Sequence, residues 1–285
     1  METRKQQGAQ SILFVVLGET EQQLKLARGI LTDTEMCACI CTKMDTAEQA
    51  LTAAMSRYSA LNMVVIAAPE DDMLSNVLSM AKRAKDRGLL SVVAAQSDGR
   101  SADECFSELS LPTNRLMTCT DCVLLTPVWR EHAKSETAGA EGFYRDIKTF
   151  LQFMNTVVEG DGFICLDFED ISNILKESGV AYLGAGSISG TNPPERLEIL
   201  PREILEKSQG VIMHIAVSED MGLDDVEAAA ELIRSNLASD AVMVFDAGFD
   251  RRLRHEIRID VLAAGSGRRR HGMIHGINMY TKIIR

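Results

Sequence analysis

The chain has 285 residues, 46% of them hydrophobic and 25% charged, with a formal net charge of −11 at pH 7. That length can bury the cores of two ordinary domains, and the composition is that of a soluble globular protein. The acidic balance argues against a general binder of nucleic acid or of anionic membranes.

The opening residues, "METRKQQGAQ", are polar and lead straight into a strand, unlike a signal peptide. No apolar run approaches the length of a membrane span, so a cytoplasmic protein is expected. "SILFVVLG" (11–18) reads as a fully buried strand, and "TEQQLKLARGIL" (20–31) as a helix with Leu24, Ala27 and Leu31 at helical spacing. "MCACICTK" (36–43) is a second strand. Its Cys37, Cys39 and Cys41 recur with period two and so share one strand face. "NMVVIAA" (62–68) is a third strand, and the helix after it places Leu74, Val77, Leu78, Ala81 and Ala84 on one side. "LLSVVAAQ" (89–96) is a fourth strand, 97–116 a polar loop with a short helix, and "DCVLLTP" (121–127) a fifth strand. Continuous apolar strands alternating with helices indicate a parallel sheet covered on both faces, so 11–141 reads as a Rossmann-like α/β domain. The seven cysteines are an odd count, which suits a reducing compartment. "CTDC" (Cys119, Cys122) has C-x-x-C spacing, but no second pair completes a four-ligand set, and no metal is expected.

After a polar break, "REHAKSETAGAE" (130–141), a central helix is expected over 142–160. Its apolar stripe comprises Phe143, Ile147, Phe150, Leu151, Met154 and Val158. Beyond it, 161–265 reads as a smaller mixed-sheet domain. Its strands are "YLGAGSISG", "GVIMHIAV", "AVMVFDAGFD" and "HEIRIDVLAAG". The helix "GLDDVEAAAELIRSNL" separates the middle pair, with Asp224 and Asp225 at its positive N-terminal end. His214, inside an apolar strand, reads as a satisfied core residue rather than a ligand. The tail, 266–285, carries Arg268, Arg269 and Arg270. It reads either as a solvated terminus or as a contact for an acidic partner.

At "GFICLDFEDISNILKESGVAYLGAGSISG" (162–190) the sequence resembles the FtsZ branch of the FtsZ/tubulin family, whose motif there is G-[LF]-[IM]-N-V-D-F-x-D-[VI]. "GVIMHIAVSEDMGLDDVEAAAELI" and "DAVMVFDAGFDRRLRHEIRIDVLAAG" are similar to the closing strands and helix of that family. The resemblance runs over about 11–265 and is most specific from 160 onward. It implies a two-domain α/β fold of the FtsZ/tubulin type, with a parallel N-terminal sheet, a central helix and a smaller mixed sheet. It also implies subunits stacked head to tail, nucleotide on one subunit and acidic residues of the next subunit's loop activating the attacking water. That loop matches Cys165, Asp167 and Asp170, with Cys165 standing where the family has Asn. Asp167 and Asp170 are also spaced as an N-cap and a first-turn carboxylate.

The nucleotide half departs from the family. Where G-G-G-T-G-T-G is found, this chain has "PEDDMLSNV", with Pro69, Glu70, Asp71 and Asp72. Glycines there let backbone N–H groups approach phosphates, whereas proline lacks an N–H and carboxylates repel phosphate. The first glycine-rich turn is "LGETEQQ", in which only Gly18 remains and Glu19 and Glu21 are added. The segment supplying a further phosphate loop before "NMVVIAA" is missing, and the guanine-reading aspartate falls on Arg145, beside Asp146. GTP binding is therefore expected to be lost, with no other cofactor, and the carboxylates are expected to cap the helix N-termini in place of phosphate. Three functions fit the sequence. The expected one is a pseudo-GTPase that self-assembles as a head-to-tail homopolymer. The second is a one-sided regulator of a true FtsZ acting in cell division. The third, an enzyme with an unrecognised small substrate, lacks a converging catalytic constellation.

Overall fold

The structure is a computed structural model and describes residues 10–69, 74–96, 111–130, 139–160, 162–189 and 199–266. In its first half, β1 (Ile12–Gly18), β2 (Cys37–Lys43), β3 (Met63–Ala68), β4 (Leu90–Gln96) and β5 (Cys122–Arg130) alternate with α1 (Glu21–Ile30), α2 (Ala47–Arg57), α3 (Leu74–Asp86) and α4 (Leu111–Cys119). The central helix α5 (Ala140–Glu159) and the short α6 (Phe168–Leu175) follow. Then come β6 (Gly179–Ser189), α7 (Arg202–Lys207), β7 (Gly210–Val217), α8 (Leu223–Arg234), β8 (Val242–Phe249) and β9 (Glu256–Ser266).

The strands form one nine-stranded sheet in the order β2-β1-β3-β4-β5-β6-β9-β7-β8. Pairing is parallel from β2 through to β6, and β9 inserts antiparallel between β6 and β7. The mixed part is thus continuous with the parallel part through the β5–β6 pair. Strict alternation splits each strand between two cores. On β1, Leu13, Val15 and Leu17 pack with α2, α3 and α4, while Ile12, Phe14 and Val16 pack with α1 and α5. Burial on both faces is why these strands read as unbroken apolar runs.

Helix α5 is 20 residues long and buries Phe143, Tyr144, Ile147, Phe150, Leu151, Phe153, Met154 and Val157. Phe150 meets Phe14 edge-on, with ring centroids 5.9 Å apart. Near one end, the Tyr144 hydroxyl donates to the Leu17 carbonyl at 3.3 Å; near the other, Met36 N–H donates to Asn155 Oδ1 at 3.1 Å. The helix therefore runs from the C-terminal end of β1 to the segment just before β2, and Gly160 stops it in the left-handed conformation at φ 71°.

Local chain pairs with part of each sheet edge. On β2, Cys37 N–H donates to Thr34 Oγ1 and Cys39 N–H to Asp33 Oδ1. On β8, Ala247 exchanges two backbone hydrogen bonds with Ile164, at 3.0 and 3.1 Å. Such cover blocks those positions from pairing with another chain. Gly162 makes the second cover possible, since a Cβ there would lie 2.2 Å from the Ala247 carbonyl oxygen. Gly162→Ala is expected to lower stability by about 1–3 kcal/mol, the usual cost of overpacking a close contact. Urea unfolding reads this directly, and an unchanged midpoint would mean that the loop is not seated on β8.

Candidate functional site

The turn between β1 and α1 corresponds to the first phosphate turn of the resemblance. Gly18 ends β1 beneath Leu24, whose Cδ2 would be 2.9 Å from an added Cβ, so a small residue lets α1 close onto the strand end. Thr20 is the N-cap of α1. Gln23 N–H donates to Thr20 Oγ1 at 3.2 Å, while Gln23 Oε1 accepts from Glu19 N–H at 2.8 Å and Thr20 N–H at 3.2 Å. This is a reciprocal capping box made of neutral side chains. It corrects the expectation that Glu19 and Glu21 cap the helix. A Thr at N-cap with Gln at N3 meets the first donors, while Glu21 already lies within the first turn. The Glu21 carboxylate instead pairs with Arg28 at 3.1 Å and Lys43 at 3.7 Å. These exposed pairs are worth little individually. Pro69, just after β3, is buried and offers no N–H. Glu70, Asp71 and Asp72 lie outside the described residues, as do Arg268, Arg269 and Arg270.

On α5, Arg145 is exposed and pairs with Glu141 one turn earlier at 2.7 Å. The neighbouring Asp146 is buried.

The loop after α5 gathers Cys165, Asp167 and Asp170. The exposed Cys165 sulfur lies 2.8 Å from the Gly160 carbonyl oxygen and 3.1 Å from that of Gly162, and its S–H donates to them. Asp167 is the N-cap of α6. Asp170 N–H donates to Asp167 Oδ1 at 2.9 Å, and Asp167 N–H donates to Asp170 Oδ2 at 3.3 Å. The two aspartates thus make a second capping box, and Ile171, Ile174 and Leu175 anchor the short helix in the core. This loop does not meet the Gly18–Glu21 turn. The two lie at opposite ends of α5, roughly 30 Å apart at 1.5 Å rise per residue.

Sequence reasoning did not single out Phe163 and Phe249. They are 39% and 58% exposed, and their rings touch at 5.0 Å beside the same loop. Only the tertiary pairing of the loop with β8 brings them together, so no local pattern could have found them. His214 is buried, with Nδ1 2.9 Å from Oδ2 of Asp246, its neighbour across the β7–β8 pair. Cys119 ends α4 and Cys122 begins β5, where burial pushes the Cys122 thiol up to about 12. Among the described residues no group of three or more His, Cys, Asp or Glu is arranged to hold a metal ion, and no helix is long and apolar enough to cross a membrane.

Residues 179–267, the run from β6 to β9, match the FtsZ family, C-terminal domain. The cell division protein FtsZ of Buchnera aphidicola is 26% identical over 211 residues, which is 69% of this chain and 54% of that protein. The chain spans about half the length of the curated relatives it matches. Among solved structures, an empty FtsZ dimer of M. jannaschii superposes with a TM-score of 0.63 at 14% identity, covering 90% of this chain and 88% of that one. The TubZ of Bacillus thuringiensis serovar israelensis, solved as GDP-form protofilaments, gives 0.60 at 10% identity, covering 92% and 87%. Residues 179–267 are thus similar to the FtsZ C-terminal domain, and the chain as a whole shares the fold of the FtsZ and TubZ structures.

Proposed function

We propose that this chain is an FtsZ-like cytoskeletal subunit of the cytoplasm that self-assembles head to tail without binding or hydrolysing GTP. The observation that carries the reading is the closed turn at α1. A phosphate at a helix N-terminus is held by free N–H groups, and here Glu19, Thr20 and Gln23 spend theirs on the Thr20 and Gln23 side chains. The residues present are a poor fit to a phosphate chain. Assembly is supported by the FtsZ match and by the protofilament form of the TubZ structure. It is also supported by the exposed loop at the far end of α5, where Phe163 and Phe249 offer apolar area beside Asp167. The same arrangement of a closed end and an exposed end supports, after self-assembly, a second reading. Such a subunit could dock its Asp167 loop on a true FtsZ and stop filament growth, as a regulator of cell division.

Sedimentation and electron microscopy of the purified protein, alone and with GTP and magnesium, test the first reading. Filaments are expected in equal yield under both conditions, and filaments only with GTP would refute it. If nothing forms alone, a stoichiometric complex with a true FtsZ that is lost in the Asp167→Ala, Asp170→Ala double variant establishes the regulator. Thr20→Ala is expected to cost about 1 kcal/mol through the lost cap. Saturating GTP is expected to leave the thermal midpoint of the wild type unmoved, because only a ligand that binds the folded state raises it.

A further inference from the structure

The loop from β8 to β9 carries Arg251, Arg252, Arg254 and His255. It begins where Phe249 ends β8, and its base is fixed. Asp250 N–H donates to the Val217 carbonyl at 2.9 Å, and the Arg252 guanidinium grips the Asp250 carboxylate at 2.7 Å. Facing it is the loop from β7 to α8. Arg251 Nε donates to Glu219 Oε1 at 2.9 Å, and His255 Nδ1 pairs with Asp220 Oδ2, so both carboxylates of the second loop are engaged by the first. Between the loops lies an open cavity of about 360 Å³, lined by Glu219, Asp220, Arg251, Leu253, Arg254 and His255. Two of its three basic side chains are thus answered by carboxylates. Arg254 is exposed and forms no ion pair among the described residues.

Apolar side chains flank the two loops. Among the described residues, the large hydrophobic side chains left exposed are Phe163, Leu223 and Phe249. Phe249 precedes the arginine loop with Phe163 against it, and Leu223 opens α8 just after the loop from β7. A charged group ringed by exposed apolar area is a feature of surfaces that pair, where the apolar ring keeps water from the ionic contact.

We propose that this cavity is a socket of the head-to-tail contact, in which Arg254 receives a carboxylate of the next copy of this chain. The contact presupposes the self-assembly reading above. A guanidinium with uncommitted donors binds a carboxylate through two parallel N–H groups. A second copy is suited to supply one, since the chain carries a net charge of −11. Head-to-tail stacking sets this end of one copy against the α1 end of the next, where Glu19 and Glu21 are exposed. The socket is also continuous with the Asp167 loop, through Phe163 and Phe249.

The test compares sedimented polymer with dilute subunits of the full chain, using the arginine reagent phenylglyoxal and peptide mapping. Arg254 is expected to react about tenfold more slowly in polymer, because the ringed contact excludes solvent. Arg234, exposed at the far end of α8, is expected to react equally in both. Arg254→Glu is expected to raise the protein concentration needed for polymer about tenfold, since like charges then meet across the contact. Arg234→Glu should leave that concentration unchanged. Polymer in which Arg254 stays as reactive as in the subunit overturns the socket and leaves self-assembly standing, as does equal assembly of Arg254→Glu. A wild type that forms no polymer overturns both, and a complex with a true FtsZ that is lost in Arg254→Glu then assigns the cavity to that partner. The footprint needs only the wild-type chain, so a variant that fails to fold cannot obscure the result.

Discussion

Everything that positions the two ends of this molecule depends on the burial of one broad face of α5. That helix packs across β1 and against α1 and fills the second core with large side chains from Phe143 to Val157. Each fully buried residue of that size contributes about 1.5–3 kcal/mol. Because the helix also bonds to Leu17 near one end and to the segment before β2 near the other, it cannot slide along the sheet. Gly160 then releases the chain into the 162–170 loop at a fixed place, and the two hydrogen bonds between Ile164 and Ala247 seat it on β8. The helix is thus a spacer of set length between the α1 turn and the aspartate loop.

The same device caps the helix N-terminus at each of those places. A helix N-terminus leaves four N–H groups without partners, and a polar residue at N-cap with another at N3 satisfies the first of them. Helix α1 uses Thr20 and Gln23, and α6 uses Asp167 and Asp170. The difference is charge. At α6 the cap is anionic and suits the positive end of the helix. At α1 it is neutral, with Glu21 beside it tied to Arg28 and Lys43. Asp167 caps α6 while exposed on the loop, with Asp170 half-buried beside it, so a structural role does not compete with a role in contact between subunits.

Much of the fold was legible in the sequence because strands buried on both faces leave unbroken apolar runs, as at 11–18 and 210–217. Helix α2 was not recognised. Its inward residues are Ala47, Leu51, Ala54 and Met55, and small alanines give a weak periodic signal. At six residues, α7 is too short to show a period at all. In the site, the Asp167–Asp170 spacing was readable as a cap from three-residue separation. Thr20–Gln23 has that same separation, but three-residue spacing there was overshadowed by the flanking glutamates. Pairs made by tertiary register, such as His214 with Asp246 and Phe163 with Phe249, have no local trace because the sheet sets them.

On the proposed reading, the absence of a nucleotide changes what can control assembly. In a ligand-coupled polymer, a bound group that differs between states shifts the subunit equilibrium by its differential affinity. A subunit whose helix N-termini are satisfied internally offers no such handle at α1. Its association free energy must come from surface buried between copies, and specific contacts usually bury on the order of 800 Å² per partner. Phe163 and Phe249 can supply the apolar centre of such a patch, while Asp167 and its neighbours supply a charged rim sensitive to salt. Control then passes to protein concentration, ionic strength and partners that compete for the loop.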